Sequence, residues 1–148
     1  MDAPLHASHK LEPLYAQAVG RATYAFAVLE WSAIWCCKAL DDDYVREMHR
    51  TTAGEVAEDF ERLIATRPLH DLQLKNELAD AAEAFRKLVR VRNALAHAQP
   101  GHDATGRCIL VNGTRPWQLE GILDAVEAFE RCAGRLQRLL SQGLGEKA

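Results

Sequence analysis

"FRKLVRVRNALAHAQPG", residues 85–101, closes the most regular helical pattern in the chain, and its reading decides the fold. Upstream of it, Leu74, Leu78, Ala81, Ala82, Phe85, Leu88 and Val89 recur at spacings of three and four, which predicts a helix from about His70 or Asp71 through Ala96. "QPGHDATG" (99–106) reads as its breaker. With Arg92 set at zero and about 100° per residue, Phe85 falls at about 20°, Ala81 at about −20° and Leu88 at about −40°. The guanidinium therefore projects from the middle of the apolar stripe rather than its rim. An unpaired buried charge is expensive, so Arg92 calls for a carboxylate, a wet cleft or an anionic ligand.

Working outward, the periodicity predicts three more helices. The first runs from about Leu11 to Leu40, with Tyr15, Ala18, Ala22, Ala25, Leu29, Ala33, Cys36 and Leu40 on one face. The second follows a cap at Thr51 or Thr52, carries Val56, Phe60, Leu63 and Ile64, and stops at Pro68. The last spans about Trp117 to Leu140. Between the third and fourth lies "GRCILVNGTRPWQL", where "CILV" followed by "NG" predicts a short β-hairpin or loop whose second arm Pro116 confines to an edge. The expected fold is all-α, an antiparallel four-helix bundle with that one excursion. Its boundaries are an N-terminal arm over 1–10, the helical domain over 11–141 and a C-terminal tail over 142–148.

The 148 residues suit one domain, and 48% hydrophobic with 26% charged residues is ordinary globular composition. A net charge of −3 excludes a surface that binds nucleic acid everywhere, so any phosphate contact must be local. The longest apolar run, residues 22–37, is interrupted by Glu30 and falls short of the roughly 20 residues of a membrane span. With no signal-peptide pattern at the start either, the expected location is cytoplasmic, away from the membrane. Cys36, Cys37, Cys108 and Cys132 form no C-x-x-C pair and read as reduced thiols. His97 and His102 share no standard ligand spacing with a cysteine or carboxylate, so no metal and no cofactor are expected. His6, His9, His49 and His70 read as surface residues.

Two features exceed what a plain bundle needs. Tyr24, Val28, Trp31 and Trp35 fall opposite the main stripe of the first helix. Such a face is either covered by the hairpin or the N-terminal arm, or it is the interface of a homodimer. In addition, Arg86, Lys87, Arg90 and Arg92 crowd eight residues of an acidic chain. They read either as an anion site, with phosphate the commonest anion, or as a solvated basic turn at a helix's negative end. Glu30, the one charge between Arg21 and Lys38, either orients Arg92 or His97 or reaches solvent.

"RNALAH" (92–97) resembles the R-x(4–6)-H signature of the HEPN family (higher eukaryotes and prokaryotes nucleotide-binding), in which a polar residue, often Asn, follows the Arg. Arg92, Asn93 and His97 match its positions, and the helical layout resembles the family over roughly residues 14–140. The resemblance implies a dimer that joins two Arg–His pairs in one cleft. It also implies a metal-independent endoribonuclease of toxin or antiviral type, with an antitoxin or regulatory protein as a partner. The chain departs from one toxin subgroup at Gln99, where that subgroup has Tyr. In the chemistry so implied, the RNA 2′-hydroxyl attacks the adjacent phosphorus, His97 moves the proton, Arg92 holds the non-bridging oxygens and Asn93 orients either. Arg86, Lys87 and Arg90 would contact the RNA backbone. Other members of the family bind RNA, nucleotide or protein without cleavage. Outside the family lies a third reading, a helical dimerisation domain whose Arg92 simply pairs with Glu30.

Overall fold

The structure, a computed structural model, describes residues 10–44 and 51–144. Its helices are α1 (Pro13–Leu40), α2 (Ala53–Thr66), α3 (Leu72–Ala96) and α4 (Leu119–Leu139), the last continued by a π-helical turn, Leu140–Leu144. Their ends have local causes. Pro13 sits in the first turn of α1, where an N–H would have no helical partner anyway. The Thr52 hydroxyl accepts the Glu55 N–H at 3.2 Å to open α2, and the Asp71 carboxylate accepts the Leu74 N–H at 3.1 Å to open α3. Arg67 turns extended at ψ 143°, the geometry Pro68 imposes on the residue before it.

The expectation of an all-α chain needs correcting between α3 and α4. Strands β1 (Gln99–His102), β2 (Cys108–Asn112) and β3 (Arg115–Pro116) pair in that order as a three-stranded antiparallel sheet. β1 is built from the residues that read as a breaker. Pro100 is tolerated because β1 is an edge strand, as Pro116 is on the opposite edge. Gly101 lets Val111 close over it, since a Cβ there would stand 2.6 Å from Val111 Cγ2. The β2–β3 turn is centred on Gly113 and Thr114, one residue later than the "NG" reading places it, with Gly113 at φ 59°. Asn112 is thereby freed for another role. Its amide donates to the Ala94 carbonyl at 2.8 Å, and its oxygen accepts the Trp117 indole N–H.

A second correction concerns direction, because the helices do not alternate. Tyr15 is tied to Trp117, Phe26 packs edge-on against Phe129 at 5.2 Å, and Gln137 donates to Ser32 at 3.1 Å. Successive points of α1 thus meet successive points of α4, and the two run parallel. α2 ends beside the end of α1, where Arg67 pairs with Asp41 at 3.2 Å. α3 alone runs against the others, with Leu74 over Gly143 and its far end at the sheet. The five-residue connection after α2 forces a reversal, whereas residues 41–52 give enough chain to return along α1.

The helices close around Phe60, Phe85, Phe129, Leu29, Leu63, Leu78, Ile122 and Leu136, all fully buried. Ser32, the one buried polar side chain among the described residues, is satisfied by the Val28 carbonyl and Gln137. Burial pushes the Cys36 thiol up to about 12 and the Cys132 thiol up to about 11, and raises Cys37 as well, so these thiols are poor nucleophiles. Leu144 is buried, so the packed body extends past residue 141, where the sequence reading ended it. The N-terminal arm (apart from Lys10), His6, His9 and His49 lie outside the described residues.

One phenol ties the sheet and the start of α4 to α1. Tyr15 donates to the Trp117 carbonyl at 2.7 Å and accepts the Leu110 N–H at 2.9 Å. Tyr15→Phe removes both bonds and should lower stability by about 1–3 kcal/mol. In urea denaturation the midpoint is expected to fall with the slope unchanged.

Candidate functional site

α3 has 25 residues and α2 only 14, about 37 Å against about 21 Å of helix. Because α3 runs against α2, its last turns extend beyond the first turn of α2, and a cleft of about 410 Å³ opens between α1 and α3. Val19, Ala22, Thr23, Phe26, Ala27 and Glu30 of α1 form one wall, with Arg92, Leu95 and Ala96 of α3 opposite. Ala98, Leu110 and Phe129 close its ends, and no residue of α2 takes part.

Arg92 is half-buried in this cleft, not sunk in the core as its position on the helical wheel suggested. Its guanidinium carbon sits 4.6 Å over the Phe26 ring, a cation–π contact that offsets part of the lost hydration. Among the described residues the guanidinium forms no ion pair within 4 Å, and its buried Nε has no hydrogen-bond partner. Glu30 lines the same cleft and feels the Arg92 charge without closing on it. Burial raises the Glu30 carboxyl above its ordinary value, and the nearby guanidinium lowers it only in part. The cleft thus holds a cation with an unpartnered buried donor, a carboxyl whose pKa burial raises, and apolar walls.

The other expected site residues are placed differently. His97 caps α3, its N–H donating to the Asn93 carbonyl at 3.0 Å. Its imidazole is exposed and lies outside the cleft, although Ala96 and Ala98 on either side of it are cleft residues. Asn93 is likewise exposed and outside. Arg86 turns to α2 and pairs with Glu61 at 2.8 Å, and Lys87 pairs with Glu83 at 3.5 Å. Arg90 is exposed. Of the expected catalytic, RNA-binding and orienting residues, the chain brings only Arg92 and Glu30 together. Sequence reasoning missed Phe26, the ring beneath the guanidinium. Its only signal was its place four residues before Glu30 on α1.

The aromatic face of α1 is open, with Tyr24 74%, Trp31 47% and Trp35 44% exposed, so the sheet does not cover it. The Trp31 and Trp35 rings lie 6.4 Å apart along a shallow groove that Val28, Gln137 and Leu140 complete. Ala27 lines both this groove and the Arg92 cleft, so the two are contiguous around α1. Among the described residues, no three His, Cys, Asp or Glu side chains are grouped to hold a metal, and no helix is long and apolar enough to cross a membrane. Comparison with known protein families, curated proteins and solved structures finds no match to this chain.

A pH dependence follows from Glu30. Because its folded value is raised, its contribution to stability is full below the unfolded carboxylate value and is lost as pH rises through the folded one. Wild type should therefore lose stability relative to Glu30→Gln from about pH 4 upward. Paired urea denaturation curves at successive pH values check the sign.

Proposed function

We propose that the protein is a metal-independent endoribonuclease of HEPN type, working as a homodimer, with toxin- or defence-like action. The observation that carries this reading is the state of Arg92: a half-buried guanidinium on Phe26, with a buried unpartnered Nε and no ion pair to Glu30, facing an open cleft. A helix that only packs has no use for such a group. A plain dimerisation domain with Arg92 neutralised by Glu30 would require the ion pair that is absent.

In this reading Arg92 holds the non-bridging oxygens of the scissile phosphate through parallel N–H donors, which Lys could not supply. The 2′-oxygen bonds to phosphorus, the bond to the 5′-oxygen breaks, and the products are a 2′,3′-cyclic phosphate and a 5′-hydroxyl. One imidazole takes the 2′-proton and another protonates the leaving oxygen. His97 stands outside its own cleft, so the two imidazoles come from two protomers docked through Tyr24, Val28, Trp31 and Trp35, the face contiguous with the cleft. Asn93 orients the imidazole, and Arg90 contacts the RNA backbone. Glu30 keeps Arg92 oriented without neutralising it.

A second reading, a non-catalytic dimer that binds RNA, nucleotide or a protein such as an antitoxin, draws on the same exposed His97. The two separate on labelled RNA incubated in EDTA. Nuclease action gives cyclic-phosphate ends, and Arg92→Ala and His97→Ala should each lower the rate by about 100-fold or more at unchanged helical content. Salt-sensitive retention without cleavage would establish the second reading instead. Trp31→Glu should shift the protein from dimer to monomer in sedimentation equilibrium and remove activity with it. A fully active monomer would overturn the shared cleft.

A further inference from the structure

α4 carries a second basic feature, remote in sequence from "RNALAH". Arg131, Arg135 and Arg138 follow one another at i, i+4 and i+7, on one face of the helix. Like charges at that spacing oppose helix formation. None of the three forms an ion pair within 4 Å among the described residues, although Glu127 stands four residues before Arg131, where it could pair. Arg138, in the last turn, complements the negative end of α4. Arg131 lies two turns further in, beyond the reach of that effect. No ion pair and no helix-end effect accounts for Arg131.

The row borders a groove of about 620 Å³ between α3 and α4, into which Lys87 reaches from the α3 side. Ala84, Leu88, Ala128, Cys132 and Gly134 supply the uncharged part of its lining. Glu130 lines the same groove and Glu83 pairs with Lys87, so four cations face two carboxylates. Along the helix axis the arginines step by about 6 Å and then about 4.5 Å, a row suited to a linear polyanion rather than to a single ion.

We infer that the α3–α4 groove is a track for the phosphate backbone of single-stranded RNA, held by Arg131, Arg135 and Arg138 with Lys87. This rests on the RNA reading of the Arg92 cleft and adds to it a contact surface that begins one turn earlier along α3, since Leu88 of the groove precedes Arg92 by four residues. The track binds without reading sequence, because phosphate contacts carry none.

The test uses the full chain with a fluorescein-labelled, mixed-sequence single-stranded RNA in EDTA, following anisotropy across a salt series together with cleavage. The expected result is that Arg131→Gln/Arg135→Gln/Arg138→Gln, whose helical content should equal wild type, binds at least 10-fold more weakly. The slope of log affinity against log salt should fall by about 2, at roughly 0.7 per lost contact. Unchanged affinity and slope in the triple variant, with wild type still cleaving, overturns the track and leaves the nuclease reading standing. Groove-dependent binding without any cleavage overturns nuclease action and leaves the track. Displacement of the RNA by polyglutamate of equal total charge, as effective as by unlabelled RNA, overturns RNA as the occupant in favour of an acidic protein.

Discussion

α2 is too short to flank the whole of α3, and the unflanked stretch of α3 defines the molecule. Over the first part of α3 the bundle is closed, with Leu78, Ala81, Ala82 and Phe85 buried. Beyond the N-terminal end of α2 the α1–α3 diagonal is open, and the residue that stands there on the inner face is an arginine. The three-stranded sheet occupies the end of the bundle that α2 does not reach. It is fastened to α1 by the Tyr15 phenol and to α3 by the Asn112 amide.

Arg92 shows how a charge can be kept half out of water without being neutralised. The Phe26 ring supplies a face for the guanidinium, and that ring is itself held by Phe85 and Phe129. A carboxylate on Arg92 would have given a sealed ion pair. Glu30 instead remains near, desolvated and unbonded, so the donors stay available to an incoming anion. Preorganised donors in a partly dry cleft are what stabilisation of developing negative charge requires.

The parallel course of α1 and α4 has a consequence for the surface. Because their whole lengths pack together, the outer face of α1 is left to Tyr24, Trp31 and Trp35, three aromatic residues too exposed for a monomer's core. Contiguity of that face with the cleft, through Ala27, makes the surface that would join two copies also the rim of the site. Dimerisation and site assembly are then one event in the proposed mechanism.

Local chemistry was enough to determine the helices. Thr52, Asp71, Pro13 and Pro68 act on their own neighbours, and the spacing of Phe85, Leu88 and Val89 is a property of one helix, so both are legible in order along the chain. The anomaly of Arg92 was legible for the same reason, as a charge at an apolar position. What tertiary structure alone decided is everything that joins distant residues. A strand at Gln99–His102 exists because β2 pairs with it, although its own residues disfavour a sheet. Helix direction depends on connection length, and the ring beneath Arg92 comes from a helix about sixty residues earlier in the chain. Whether the guanidinium met Glu30 or stayed open was a matter of a few ångströms between two helices, a distance that periodicity within either helix does not contain.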